Sequence, residues 1–119
     1  MTTRVSTDMI EIDLTGVYGI VVLNQPVAFT YPIQLSAAFG WQITHINTKA
    51  ASGSINFTIN VDGVATGEAN LTNETINTSA STHTPASPVA IPTNSLVEIV
   101  FDTPSTPGII TLEVHGART

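Results

Sequence analysis

In GSINFTINVDG, residues Gly53 to Gly63, the apolar Ile55, Phe57, Ile59 and Val61 alternate strictly with Ser54, Asn56, Thr58 and Asn60. Only an extended chain sends every second side chain to one side, so this stretch is a strand with one apolar and one wet face. Asp62-Gly63 follows at once. That pair readily adopts the positive φ angles of a tight turn, so the strand should fold back as a hairpin.

The same period recurs along the chain. The first eight residues are polar and aperiodic and read as a flexible arm, residues 1–8, preceding a single domain, 9–119. Met9 to Leu14 alternate, with Ile10, Ile12 and Leu14 opposite Glu11 and Asp13. Val17 to Leu23 is more continuously apolar, which suits a strand covered on both faces or buried against a neighbouring subunit. Its β-branched residues and the nearby Pro26 disfavour a helix. Pro32 to Ala38 reads as a strand or an irregular crossover. Trp41 to Asn47 reads as a strand whose two sides, Trp41/Ile43/His45/Asn47 and Gln42/Thr44/Ile46, are both mixed in character. Lys49 to Ser52 is expected to turn into the Gly53–Gly63 strand.

From Val64 to Ser95 the chain is rich in Thr, Ser, Asn and Ala and is broken by Pro85, Pro88 and Pro92; one weak strand is expected near Thr75 to Thr82. Two clear strands follow, Leu96 to Asp102 and Ile109 to His115, separated by the turn-forming DTPSTPG. About seven to eight strands, frequent turns and nearly no helix predict an all-β antiparallel sandwich of jelly-roll-like form.

Composition narrows the function. The 119 residues suffice for one domain burying roughly two thirds of its unfolded surface. Cysteine is absent, which removes disulfides and thiolate chemistry. Nine acidic residues against three basic give a net charge of -6 and argue against a nucleic-acid partner, since Arg4, Lys49 and Arg118 are scattered. No apolar run approaches the ~20 residues of a membrane-spanning helix, and the N-terminus lacks a secretory pattern, so folding in the cytosol is expected.

Residues able to do chemistry are few. His45, His83 and His115 lie far apart in sequence and read as surface or edge-strand histidines, although a homotrimer can set three copies of one His on its axis. Asp8, Glu11 and Asp13 lack the spacing of a calcium loop and read as a solvated face. No nucleophile elbow or phosphate loop occurs, so neither an enzyme nor a metal or other cofactor is expected. The sequons at Asn56, Asn70, Asn73 and Asn77 follow from an abundance of Asn, Ser and Thr. Trp41 reads as core or interface; with Tyr18 and Tyr31 the alternative is an aromatic platform for a sugar.

Mean hydropathy is +0.26 although only 10 % of residues are charged. Soluble sheet proteins blunt their edges with charge, so this composition predicts a homo-oligomer. The run INTKAASGSINFTINVDGVATG and the later NSLVEIVFDTPSTPGIITLEVHG resemble small β-sandwich virion proteins of tailed bacteriophages, with Lys49, Gly53, Asp62, Gly63, Gly67 and Gly108 matching their turns over residues 41–116. The resemblance implies a capsid decoration or cement protein on the virion surface, a homotrimer that reinforces contacts between subunits of the major capsid protein or another virion protein. Its rival is a receptor-binding fibre tip or adhesin that recognises a host glycan through the loops between Gly67 and Asn94. A carbohydrate-binding domain of an enzyme is a third reading.

Overall fold

Ser54–Val61 is a strand, and it reverses at Asp62 (φ 51°) and Gly63 (φ 80°) into Val64–Ala65, the hairpin that the alternation demands. Ile55, Phe57 and Ile59 are fully buried. The computed structural model describes residues 9–13, 18–33 and 40–119. The expected arm, 1–8, lies outside them.

Among the described residues there are eleven strands: β1 (Met9–Asp13), β2 (Tyr18–Asn24), β3 (Phe29–Ile33), β4 (Trp41–Ala50), β5 (Ser54–Val61), β6 (Val64–Ala65), β7 (Glu74–Ile76), β8 (Ser81–His83), β9 (Val89–Ile91), β10 (Val97–Ser105) and β11 (Ile109–Arg118). The only helical element among them is a single 3-10 turn at Ala69–Leu71. One sheet runs β1-β2-β11-β4-β8, with β9 continuing beside β4; the other runs β3-β10-β5-β6, with β7 also on β5. All pairings are antiparallel.

The order has a simple origin. β2 pairs β11, β3 pairs β10, β4 pairs β8 and β9, and β5 pairs β6 and β7, as if one long hairpin had been wrapped so that successive rungs fall in alternate sheets. The wrap is closed by β11 on β4 and β10 on β5. This is a jelly roll, eight strand positions in two sheets, with β1 added beyond β2. Its core is one cluster drawn from both sheets, from Val21 to Val114, and includes Trp41, Phe57 and Phe101.

Three local expectations need correction, at Lys49, at Thr75 to Thr82 and at DTPSTPG. Both sides of the segment from Trp41 look mixed because β4 carries a bulge: His45 pairs His115 and Ile43 pairs Gly116, leaving Thr44 as the extra residue. One added residue exchanges the faces, so Trp41 and Ile43 point inward, then Ile46, Thr48 and Ala50. The partner on β4's other side is interrupted at the same place, β9 pairing residues 41–43 and β8 residues 46–48. Lys49 therefore belongs to a strand, and the turn begins after Ala50.

The weak strand at Thr75 to Thr82 is two strands in different sheets. Asn77 breaks it, its side-chain oxygen accepting the Ser79 amide while its carbonyl accepts the Ala50 amide, so the chain crosses from β7 to β8. A strand stands earlier than Pro32 to Ala38, at Phe29–Ile33; residues 34–39 lie outside the described set. Pro32 is tolerated because, among the described residues, β3 is an edge strand bonded only to β10. Finally, DTPSTPG starts inside β10, which continues past a bulge to Ser105.

Candidate functional site

The β4 bulge builds the first notable cluster. Thr44, left without a strand partner, donates its hydroxyl to the His115 carbonyl (3.1 Å), and its oxygen lies 3.1 Å from His45 Nδ1. Because that hydroxyl has one proton, the His45 Nδ1–H is the donor to it. The imidazoles of His45 and His115 then stack, centroids 4.4 Å apart and planes 6° from parallel. His115 continues the polar face of β11, as expected, and its Nε2 lies 3.2 Å from Glu113 Oε1 and 3.5 Å from Asn47 Nδ2. Desolvation, and then the neighbouring His115, hold His45 below the ordinary histidine pKa against the opposing pull of Glu113.

Beside this pair the outer face of the β2-bearing sheet holds a trough of ≈ 370 Å³, lined by Asn47, Lys49, Ser81, Thr82, Thr111 and Glu113 among others. Register explains the grouping: Glu113 stands opposite Asn47 and Asn47 opposite Thr82, while Thr111 stands opposite Lys49. Thr82 Oγ1 donates to Asn47 Oδ1 at 2.8 Å, which fixes the amide.

A second cluster lies between the sheets. His83 is on an edge strand, as expected, but is only 7 % exposed rather than at the surface. Its Nδ1–H donates to Glu74 Oε1 (3.0 Å), and its Nε2 accepts the Thr48 hydroxyl (2.8 Å). The ring edge rests on Phe57, centroids 5.0 Å apart. The order hydroxyl, imidazole, carboxylate is that of an activated nucleophile. Thr48, however, is 3 % exposed, so its hydroxyl is shut away from any substrate. The relay ties β4 and β8 of one sheet to β7 of the other.

Apolar exposure concentrates elsewhere. Where the β2–β3 and β10–β11 connections meet, joined by the Gln25 amide on the Gly108 carbonyl, a hollow of ≈ 400 Å³ is lined by Gln25, Pro26, Val27, Pro104, Thr106 and Pro107. Val27 (66 %), Phe29 (53 %) and Ile109 (42 %) are exposed on the adjoining segments.

The remaining sequence candidates do not converge. Trp41 is core, and its indole nitrogen has no hydrogen-bond partner among the described residues. Tyr31 packs between Phe29 and Phe101 in the opposite sheet, so the two form no common sugar platform. Nothing is described of the Tyr18 side chain. Asp8 lies outside the described residues, as do the Glu11 and Asp13 side chains. Among the described residues no three metal-ligating groups converge, and no helix is long and apolar enough to cross a membrane. The sequon amides serve the loops: Asn56 Nδ2 donates to Asn73 Oδ1 and Asn70 Nδ2 to the Thr84 carbonyl.

No family model matches the chain, and no curated protein matches it. Among solved structures it is similar to a CBM4 structure at 16 % identity and a TM-score of 0.37, covering 98 % of this chain and 81 % of that one. It is also similar to an RmlC-like cupin from Shewanella frigidimarina NCIMB 400 at 14 % identity and a TM-score of 0.20, covering 95 % and 87 %. At such values neither likeness bears on function.

Proposed function

We propose that this chain is a bacteriophage virion structural protein, a capsid decoration protein that works as a homotrimer and reinforces contacts between shell subunits. The observation carrying this reading is the exposed apolar surface: Val27, Phe29 and Ile109 stand exposed around one end of the roll, and Val64 on the β5–β6 hairpin at the other. Among the outer strands, β3, β6, β8 and β9 contain no Lys, Arg, Asp or Glu to discourage pairing, whereas β1 carries Glu11 and Asp13 and β7 carries Glu74. The resemblance of residues 41–116 to phage β-sandwich proteins supplies the setting, and jelly rolls do occur among viral capsid domains, a fold-level analogy only.

The action is passive. Covering the exposed end and the open edges against sister copies and shell subunits removes apolar area from water at about 25 cal/mol per Å², and no bond is made or broken. Light scattering on the eluting protein tests the first half of the proposal: an oligomer is expected, and a stable 12.5 kDa monomer at micromolar concentration would falsify it. Addition of purified protein to undecorated phage capsids tests the second half, with saturable binding expected.

A further inference from the structure

The trough on the outer face of β11, β4 and β8 borders the β8 edge, but most of its lining lies on the faces of β4 and β11, inside the sheet. We propose that it is a binding site for a neutral saccharide, held by Glu113, Asn47 and Thr82 across three adjacent strands.

The register sets the size. Neighbouring strands lie about 4.8 Å apart and same-face residues about 7 Å apart along a strand. The row Glu113–Asn47–Thr82 therefore spans about 10 Å, and Thr111 and Lys49 form a second row beside it. That grid matches one or two pyranose rings, in agreement with the ≈ 370 Å³ of the trough.

The lining sets the chemistry. A carboxylate, an amide, an ammonium and four hydroxyl-bearing residues line it, of which Thr48 is buried and Ser81, Thr82 and Thr111 are not, and Ala80 is the one apolar residue there. This mixture answers the vicinal hydroxyls of a sugar, each both donor and acceptor. It does not suit phosphate or a polyanion, because Lys49 is the single cation in the trough and Glu113 opposes an anion. It does not suit an apolar peptide, which needs a greasy floor.

Two of the groups are already fixed. Thr82 holds the Asn47 amide by its oxygen (2.8 Å), which presents the nitrogen toward His115. His115 holds one Glu113 oxygen (3.2 Å), and the stacked His45 and Thr44 hold His115 in turn. A sugar binding here has little side-chain order to impose, which lowers the cost of association. The loops between Gly67 and Asn94, expected to carry glycan recognition under the receptor-binding reading, contribute only Ala80, Ser81 and Thr82.

The full chain, fluorescently labelled, is applied to an array of neutral and acidic oligosaccharides, and the best neutral ligand is then titrated by amide NMR. Binding to neutral glycans is expected, with shifts at Asn47, Thr82 and Glu113. Glu113→Gln should weaken it at least about tenfold, the value of one charge-assisted hydrogen bond, and Asn47→Ala at least about fivefold, the value of one neutral hydrogen bond. Lys49→Ala should change it less than about threefold. Asn56→Ala, on the opposite sheet, should leave it unchanged. Each variant must retain the wild-type circular dichroism and Trp41 emission. Binding to no neutral glycan, binding confined to acidic glycans, or binding indifferent to both Asn47→Ala and Glu113→Gln overturns the proposal. Addition of Glu113→Gln to capsids separates this site from the assembly reading, which its failure would leave standing.

Discussion

His45 and His115 stack face to face across the β4–β11 pairing, at the one point where β4 holds an extra residue. Two parallel imidazoles 4.4 Å apart cannot both be protonated without repulsion. Glu113 beside His115 offsets part of this, and Lys49, two residues beyond Asn47 on β4, adds positive charge to the same face. Since the folded pKa of His45 is depressed, the unfolded chain takes up its proton first as pH falls. Its contribution is therefore intact above the unfolded value and is lost as pH drops through about 6.5 toward the folded pKa. Urea midpoints measured from about pH 7.5 to about pH 5 should fall less in His45→Gln than in wild type. Burial of His45, and then its stacking on His115, is the cause, and an equal fall in the two proteins would remove His45 as its source.

The buried relay makes a different prediction. Thr48→Val deletes the donor to His83 while keeping its shape, and should cost about 1 to 3 kcal/mol for leaving a buried acceptor unpaired. Glu74→Gln should cost a similar amount. Because the three groups form one chain, the double variant should be less destabilised than the sum, and denaturation of all four proteins would show it. Additive losses would mean that the two hydrogen bonds act independently.

Gly53 lies at φ 66°, where an added Cβ would run into the Ser105 and Thr106 carbonyls. Gly53→Ala should lose about 1 to 3 kcal/mol or more, combining left-handed strain with a displaced β10–β11 connection. Gly63→Ala, at φ 80° with open space around it, should cost only the backbone part, about 1 kcal/mol. Thermal melts followed by Trp41 emission would rank the two.

At the exposed end, Val27→Ser should barely alter the melting temperature, because surface substitutions fall within about 0.5 kcal/mol. Phe29→Ser should cost about 1 kcal/mol for its edge contact with Tyr31. Both should shift the light-scattering mass toward monomer if this end is an assembly surface. Unchanged mass in the double variant would place the contact elsewhere.

The strands that sequence shows most plainly, at Ser54–Val61, Val97–Ser105 and Ile109–Arg118, have one buried and one wet face, so period two survives intact. β4 defeats the same reasoning because Thr44 shifts the phase, and a bulge has no composition of its own. The segment around Asn77 misleads for a related reason: Thr and Ser suit strand and Asx turn alike. The site was the least legible part. Glu74, Thr48 and His83 come from three strands, and so do Glu113, Asn47 and Thr82; only the register of the wrap brings either set together. The stacked histidines are 70 positions apart by number, His45 against His115, and no local spacing signals them.

The place of β11, last of the described strands yet seated between β2 and β4, bears on biogenesis. Until Ile109–Arg118 has left the ribosome, β2, held on its other side by β1, and β4, held by β8 and β9, each keep one side unpaired. Nascent copies on one messenger therefore expose open ladders side by side, and they complete the roll only after translation has passed residue 118.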